Sequence, residues 1–322
     1  MKLLAPILLL LASSAAAQTH VLVVCGLGGE PRYQEAFLQT GLAITTAAEG
    51  RLGIPAENVT LLTEDPSRNP RVAGRSTKEE VTKALASFAS DAAPRSLIFI
   101  VLIGHGSARG DAARINLPGP DLTAADFATL LAPFETQQVV LVNTASASGD
   151  WARVLAGPNR VIVTATRSGV ERDETFFGRD FATALGSDEA DRDKDGRLSV
   201  LEAFDFARRE VVRSYERSQR LRTEHALLEA DGDGKGTMEP VATAGDGAVA
   251  AAVFLDAGTA AKVAPELAGL AATRDSLERE VVLLRNKKAQ MAPDEYDRRL
   301  EALLLELARV TRELKERGGG SP

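Results

Sequence analysis

The stretch "SLIFIVLIGHGS", residues 96–107, places seven apolar residues in a row directly before a Gly-His-Gly sequence. A continuous run of Ile, Val, Leu and Phe of this length is typical of a strand covered on both faces of a parallel sheet. Comparable runs predict further strands at 20–25, 58–63, 138–143 and 160–166. The sequence therefore predicts a buried, mainly parallel sheet.

Segments with apolar residues at helical spacing lie between these runs, at 33–52, 77–90 and 123–131. Thr123 and Asp126 have the spacing of a capping box, which marks the start of a helix. Strands that alternate with helices indicate a doubly wound α/β domain. We expect this domain to occupy residues 18–257 and to end with a strand at 248–255.

Both ends of the chain differ from this pattern. Residues 1–17 have the features of a signal peptide: Lys2, a short apolar run, and Ala residues before Gln18. The run is too short to span a bilayer, and no later apolar run is long enough. We therefore expect an exported protein, periplasmic or secreted, without a membrane span.

At the other end, residues 265–316 show two apolar seams at steps of three and four, separated by Pro293-Asp294. This pattern predicts an antiparallel, coiled-coil-like helical hairpin for contact with a partner or a second copy of the chain. The Gly-rich residues 317–322 are expected to be a flexible tail.

Composition limits the partners and the chemistry. The formal charge of −7 and the absence of a basic patch argue against a nucleic-acid partner, so a peptide or protein substrate fits better. The single cysteine, Cys25, lies within a predicted strand and cannot form an internal disulfide. We expect it to pack as a small hydrophobic residue.

Polar residues follow two of the predicted strands directly. His105 and Gly106 end the run at 96–107, and "QQVVLVNTASASGD", residues 137–150, delivers Ser146 and Ser148 in a turn. Parallel strands bring such ends to one edge of a sheet, where catalytic groups collect. Acyl transfer requires a base, a nucleophile and backbone donors for the oxyanion. Alternatively, His105 is a loop residue bonded to a backbone carbonyl, and Ser146 bonds only to its local backbone.

With these motifs, the chain resembles the legumain family of peptidases, relatives of the caspases, over residues 19–177. The segments "RLGIPAENVTLLTED" at 51–65 and "NRVIVTATRSG" at 159–169 also resemble that family. The resemblance implies a caspase-like three-layer sandwich with a mainly parallel sheet. It also implies His105 as general base and the Gly106 N–H as an oxyanion donor.

The chain departs from the family at the nucleophile. The family carries its thiolate in an Ala-Cys-x-Ser-Gly turn, whereas residues 145–149 read Ala-Ser-Ala-Ser-Gly, so Ser146 occupies the cysteine position. A serine hydroxyl is far less acidic than a thiol. Two interpretations remain open: a hydrolase with Ser146 as nucleophile, or an inactive pseudo-peptidase that binds peptides or proteins.

The family also places an Asn and an Arg after its first strand. No Asn occurs at 26–37, but Arg32 is a candidate pocket residue that would favour an acidic or amide-bearing side chain. Ser148 is a second candidate for substrate contact. The alternative for Arg32 is a solvated loop residue. A third interpretation places the function in the helical hairpin and treats the α/β domain as a scaffold.

Residues 191–202 match the calcium-binding loop of EF-hands position by position. The oxygen donors of this pattern are Asp191, Asp193, Asp195, the Arg197 carbonyl, Ser199 and Glu202. We expect a structural Ca²⁺ here, with little room for an entering helix after Gly186. A second acidic loop at 231–237 lacks an acid at position 5 and has Ala242 at position 12, which predicts a turn or at best a partial site.

Overall fold

The computed structural model describes residues 18–109, 112–257, 263–286, 288 and 291–318. The predicted signal peptide at 1–17 lies outside the described residues, and so do the last four residues of the predicted tail. Throughout the described part of the chain, no helix combines the length and the apolar character that a membrane span requires.

Ten described strands form a large central sheet and a small second sheet. In chain order they are β1 (Thr19–Cys25), β2 (Val59–Thr63), β3 (Gly74–Arg75), β4 (Leu97–Ile103), β5 (Gly106–Arg109), β6 (Ala112–Ile115), β7 (Leu122–Thr123), β8 (Gln138–Asn143), β9 (Arg160–Thr164) and β10 (Leu227–Glu229). The seven-stranded central sheet has the order β10-β9-β8-β4-β1-β2-β3, and β5, β6 and β7 form the small sheet. Within the described residues, neighbouring strands of the central sheet pair in parallel, except that β10 runs antiparallel to β9.

Nine helices are described around these strands. They are α1 (Pro31–Glu49), α2 (Lys78–Asp91), α3 (Ala124–Leu130), α4 (Asp150–Leu155), α5 (Phe177–Gly186), α6 (Val200–Arg217), α7 (Gly245–Ala251), α8 (Ala268–Asn286) and α9 (Pro293–Arg317). Side chains from α1, α5, α6 and α7 form a core with one set of strand residues, and those from α2, α3 and α4 form a core with the other. The molecule is thus an α/β protein with helices on both faces of its mostly parallel sheet.

Alternation along the central strands produces the two cores. In β4, Phe99 and Val101 contribute to the first core, while Ile98 and Ile100 contribute to the second. Because successive side chains of a strand point to opposite faces, a strand covered on both sides must be apolar throughout. This requirement explains the unbroken run of apolar residues in this strand.

The predicted strands and helices of the α/β region are confirmed as β1, β2, β4, β8, β9 and α1 to α3. The capping box is also present, since Thr123 and Asp126 exchange side-chain and backbone hydrogen bonds. The predicted strand at 248–255 is wrong: its first residues belong to α7, and Phe254 forms only an isolated bridge with Ser199. An apolar run of that length packs equally well as a buried helix, so its periodicity alone does not distinguish the two.

The C-terminal helices α8 and α9 pack against each other. On α8 the apolar residues Leu277, Val281 and Leu284 are buried. On α9, Tyr296 and Val310 are buried, whereas Leu304 and Leu305 are exposed. Among the described residues, fewer apolar side chains are therefore buried in α9 than in α8.

Truncating a central side chain tests the role of the sheet. Phe99 is fully buried in β4, and its ring lies 6.4 Å from that of Phe181 in α5. We expect Phe99→Ala to lower the free energy of unfolding by about 3 to 5 kcal/mol, because it removes buried apolar surface and leaves a cavity. Urea unfolding measures the change. The control Val170→Ala, at a side chain that is 78% exposed, should change it by less than about 0.5 kcal/mol.

Candidate functional site

The register of β4 against β8 brings the two polar strand ends together. Leu102 pairs with Asn143 in parallel alignment, so the residues that follow each strand emerge at the same edge of the sheet. There, His105 and Ser146 line one cleft of about 340 Å³. The other lining residues are Ala36, Phe37, Gln39, Thr40, Ile103, Gly104, Thr144, Glu174, Thr175, Phe176, Gly178 and Arg179.

The Ser146 hydroxyl lies against the backbone of Gly106. The Gly106 N–H donates to Ser146 Oγ at 3.3 Å, and this hydroxyl is also 3.3 Å from the Gly106 carbonyl, to which it donates. A Cβ atom at residue 106 would lie 2.1 Å from the Ser146 carbonyl oxygen. Only glycine permits this close approach of the two strand ends.

The turn that carries Ser146 has a strained backbone. Ala147, the next residue, has φ of +54°, a left-handed conformation that non-glycine residues rarely adopt. Two contacts hold it there: the Ala147 N–H donates to the Glu171 carbonyl at 2.7 Å, and the Ala145 N–H donates to Asn143 Oδ1 at 3.0 Å. Strain of this kind persists only where surrounding structure enforces it, and it is concentrated at functional sites.

Ser148 stabilises the turn and does not line the cleft. It is buried, and its hydroxyl lies 3.2 Å from that of Thr166. Thr166 Oγ1 also accepts the N–H groups of Ser148 and Gly149, at 2.8 and 3.1 Å. The geometry therefore gives this predicted substrate contact a positioning role.

His105 is packed between aromatic side chains. Its ring centroid lies 4.5 Å from that of Tyr33 and 5.1 Å from that of Phe37, both nearly perpendicular to it. Burial lowers the pKa of His105, although a hydrogen bond with the Gly28 backbone and the charges of Glu174 and Glu30 oppose this. A lowered pKa favours the neutral imidazole, which is the form that can accept a proton. Among the hydrogen bonds of the described residues, none joins it to Ser146 Oγ.

Arg32 lies outside the cleft lining. Its side chain is 68% exposed, pairs with Glu30 at 3.0 Å and stacks over the Tyr33 ring at 4.5 Å. The guanidinium in the lining belongs to Arg179 of α5, which also pairs with Asp180 at 2.8 Å. The exposed position of Arg32 corresponds to the alternative of a solvated loop residue.

The wall of the cleft depends on a carboxylate that the sequence did not single out. Glu224 is 2% exposed and accepts the Phe176 N–H at 2.8 Å and the Phe177 N–H at 3.3 Å. Thr175, next to them, donates its hydroxyl to the Thr144 carbonyl at 2.6 Å. Burial raises the pKa of Glu224 to about 7. In the sequence, Glu224 stands between Thr223 and His225 in a segment without helical or strand periodicity. No local pattern therefore predicts its contacts with the backbone of Phe176 and Phe177.

The protein's single cysteine is not placed to act as a nucleophile. Cys25 is buried, and its Sγ lies 3.2 Å from the Phe37 carbonyl. Burial raises the pKa of the thiol to about 12, so the thiolate is essentially absent near neutral pH. As the sequence predicted, this residue packs as a small hydrophobic side chain.

The predicted calcium loop brings three of its carboxylates together. One oxygen from each of Asp191, Asp193 and Asp195 lies within 4.8 Å of the others. Asp191 is buried, and its Oδ1 has no hydrogen-bond partner. Burial, and then the charges of its acidic neighbours, raise the pKa of Asp195. These features fit an ion bound by oxygen ligands.

The last two predicted ligands are bonded to each other at the start of α6. Ser199 is the N-cap residue and Glu202 completes a capping box, with Ser199 Oγ 2.8 Å from Glu202 Oε2. Glu202 Oε1 accepts the Arg192 N–H at 2.8 Å. Both residues therefore hold the end of the loop against the helix. The loop follows a turn, and α5 ends at Gly186, so no helix enters it directly.

Arg197 connects this loop to the C-terminal region. Its side chain forms two hydrogen bonds with Asp256, at 2.9 and 3.1 Å, and lies 3.6 Å from a carboxylate oxygen of Asp275 in α8. The guanidinium also stacks over the Phe254 ring at 3.7 Å. The sequence assigned only the carbonyl of this residue a role, because the calcium pattern says nothing about side chains at position 7.

Comparison with known proteins adds little to this description. No model of a known protein family matches the chain, and no curated protein matches it. Among solved structures, the chain is similar to the crystal structure of protein GSU0716 from Geobacter sulfurreducens. The TM-score is 0.42 and the sequence identity 12%, over 66% of this chain and 92% of that chain.

The buried Glu224 carboxyl predicts a pH-dependent stability. Its pKa rises from an ordinary 4.5 to about 7 on folding, so between these values the folded form is protonated and the unfolded form is ionised. The free energy of unfolding should therefore decrease as pH rises from about 5 to 7. In the wild type, Glu224 should account for up to about 3 kcal/mol of the fall in the free energy of unfolding between these pH values. Glu224→Gln should lack this contribution, which urea unfolding at several pH values measures.

Glu216→Gln, at an exposed position of α6, serves as the control and should leave the pH dependence unchanged. A decrease of the same size in Glu224→Gln and in the wild type would contradict the assignment.

Proposed function

We propose that the protein is an exported, peptidase-like hydrolase of the legumain and caspase kind. In this proposal, His105 is the general base, Ser146 is the nucleophile, and the N–H groups of Gly106 and Ser146 bind the oxyanion. The substrate is a peptide or protein that occupies the cleft between α1, α5 and the ends of β4 and β8.

One observation carries the proposal: the His105 imidazole and the Ser146 hydroxyl line a single cleft, and a backbone N–H lies against that hydroxyl. The two side chains come from adjacent parallel strands, and the Gly106 N–H already lies 3.3 Å from Ser146 Oγ. A nucleophile, a base and an oxyanion donor are the parts that acyl transfer needs.

The reaction follows from these positions. Ser146 Oγ attacks the peptide carbonyl carbon while His105 takes the hydroxyl proton, and backbone N–H groups stabilise the negative charge that forms on the carbonyl oxygen. His105 then gives the proton to the leaving amine. Water, deprotonated by the same imidazole, then attacks the acyl carbon; the ester bond to Ser146 Oγ breaks, and the imidazole returns the proton to that oxygen. For the first step, the Ser146 hydroxyl must turn from the Gly106 carbonyl towards the imidazole.

The hydrogen bonds of the Ser146 hydroxyl favour a second candidate function, that of an inactive pseudo-peptidase. Ser146 Oγ is bonded to the backbone of Gly106 rather than to His105, so its proton is engaged without the base. A pseudo-peptidase would keep the cleft and its walls but would lack an activated nucleophile. It would bind a peptide or a protein partner and not cleave it.

For the acidic loop at 191–202, we propose a structural Ca²⁺ held by Asp191, Asp193, Asp195, the Arg197 carbonyl, Ser199 and Glu202. The converging carboxylates and the unpartnered Asp191 Oδ1 support it. The bound ion would fix the loop from which Arg197 reaches Asp256 and α8.

We further propose that the three-layer fold is of the caspase and legumain type and that α8 and α9 form an antiparallel hairpin that contacts a partner or a second copy of the chain. The packing of α8 on α9 and the exposed Leu304 and Leu305 support this role.

Cleavage of a mixed peptide library, read by mass spectrometry, tests the catalytic proposal. We expect the wild type to cut peptides in the presence of calcium, and Ser146→Ala and His105→Ala to lose at least about a hundredfold in rate. Ser87→Ala, an exposed serine of α2, is the matched control and should retain full activity.

Ser146→Cys separates the two functions. A thiol ionises far more readily than a hydroxyl, so this variant should cleave if the cleft binds substrate productively. Iodoacetamide should label the introduced thiol if the cleft ionises it, while Cys25, whose thiol pKa is raised to about 12, stays unlabelled. If the folded wild type and Ser146→Cys both fail to cut any peptide, the hydrolase proposal is wrong and the binding function remains.

Calcium should stabilise the protein through the 191–202 loop. Because an ion that binds only the folded state shifts the unfolding equilibrium, added Ca²⁺ should raise the melting temperature of the wild type. We expect a smaller increase in Asp195→Asn, measured by differential scanning fluorimetry with and without a chelator. Asp188→Asn, just outside the loop and exposed, should respond like the wild type. Equal increases in Asp195→Asn and the wild type would exclude a site in this loop.

A further inference from the structure

The acidic loop after β10 collects carboxylates from three elements. Along the sequence, residues 231–237 form an incomplete calcium pattern, without an acid at position 5 and with Ala242 at position 12. The fold adds Glu229 from the end of β10 and Asp246 from the first turn of α7. Neither of them occupies a ligand position of the linear pattern.

Three of these carboxylates converge. One oxygen from each of Glu229, Asp231 and Asp233 lies within 4.8 Å of the others. Asp246 is adjacent, since its Oδ1 accepts the Ala230 N–H at 2.7 Å and the Asp231 N–H at 3.1 Å. Oxygens that bind one calcium ion at about 2.3 to 2.6 Å can be up to about 5 Å apart, so this separation suits a shared ion.

Glu229 provides the independent indication of a ligand. Its side chain is 0% exposed, and Oε1 accepts the N–H groups of Gly232 and Gly234 at 2.8 and 3.3 Å. The other oxygen, Oε2, is buried without a hydrogen-bond partner. Leaving a buried carboxylate oxygen unpaired is costly, and a cation in contact with it removes that cost.

The charges at the cluster are unbalanced. Four carboxyl groups, those of Glu229, Asp231, Asp233 and Asp246, lie in or beside this one loop. Among the ion pairs of the described residues, Lys235 supplies the basic group that reaches the cluster, 3.7 Å from Asp233 and 85% exposed. A solvated lysine on the outer side does not neutralise the buried Glu229.

We propose that Glu229, Asp231, Asp233 and Asp246 form a second calcium site. The donors are all carboxylate oxygens, with no imidazole or thiol among them, and such sets select hard cations over zinc. This site does not depend on the peptidase chemistry at Ser146 or on the 191–202 loop.

The position of the site indicates what the ion stabilises. Glu229 pairs with Ile162 of β9 at the sheet edge. Gly232 packs on Gly157, and Gly234 packs on Arg153 of α4, the helix that begins directly after the Ser146 turn. An ion at this place ties β10 and α7 together and holds the loop against α4.

Calcium titration of the full chain by isothermal calorimetry, after treatment with a chelator, tests the inference. We expect two ions per wild-type chain and one per chain in Asp233→Asn, an exposed position where the substitution does not threaten folding. Glu229→Gln should weaken the same ion by about tenfold or more. Glu239→Gln, a nearby carboxylate that is 83% exposed, is the matched control and should bind two ions.

Thermal unfolding distinguishes loss of the ion from loss of the fold. Without calcium, Glu229→Gln should be at least as stable as the wild type, because it removes a buried charge, but its melting temperature should respond less to added calcium. Asp195→Asn weakens calcium binding only at the 191–202 loop, so each site can be tested separately, and the failure of one proposal does not hide the result for the other. Unchanged stoichiometry and affinity in both Asp233→Asn and Glu229→Gln would overturn the proposal.

Discussion

The parallel pairing of β4 with β8 is the constraint on which the candidate site depends. Because Leu102 lies opposite Asn143, the backbones that follow the two strands leave the sheet side by side. They are so close that a Cβ at Gly106 would collide with the carbonyl of Ser146. The same contact places a backbone N–H within reach of the Ser146 hydroxyl. Sheet register, glycine and hydroxyl position are thus parts of one arrangement.

The loop between β9 and α5 maintains this arrangement from the other side. Its Thr166 hydroxyl and the Glu171 carbonyl bind the backbone of the Ser146 turn, including the residue with positive φ. Glu171 in turn holds His225 at 2.7 Å, and Glu224 binds the backbone at Phe176. A distant, irregular segment therefore positions both the turn and a wall of the cleft.

Buried carboxylates recur around this framework. A carboxyl oxygen is buried without a partner at each of the two acidic loops, in Asp191 of the first and in Glu229 of β10, next to the second. Glu224, by contrast, is satisfied by backbone N–H groups and needs no cation. An unpaired buried charge opposes folding, which is the physical reason for proposing a cation at the first two places, whereas protonation relieves the buried charge of Glu224.

The sequence alone determined the buried strands, the helices between them and the two polar strand ends, because apolar periodicity and strand-end motifs are local properties. It also located the carboxylates of the 191–202 loop, which are neighbours in the chain. It misassigned residues 248–255, and it could not show that Ser148 faces Thr166 or that Arg32 lies outside the cleft lining. The backbone contacts of Glu224 and the approach of Asp246 to the 229–233 carboxylates arise only from tertiary structure, since these partners are distant in sequence and are brought together by packing.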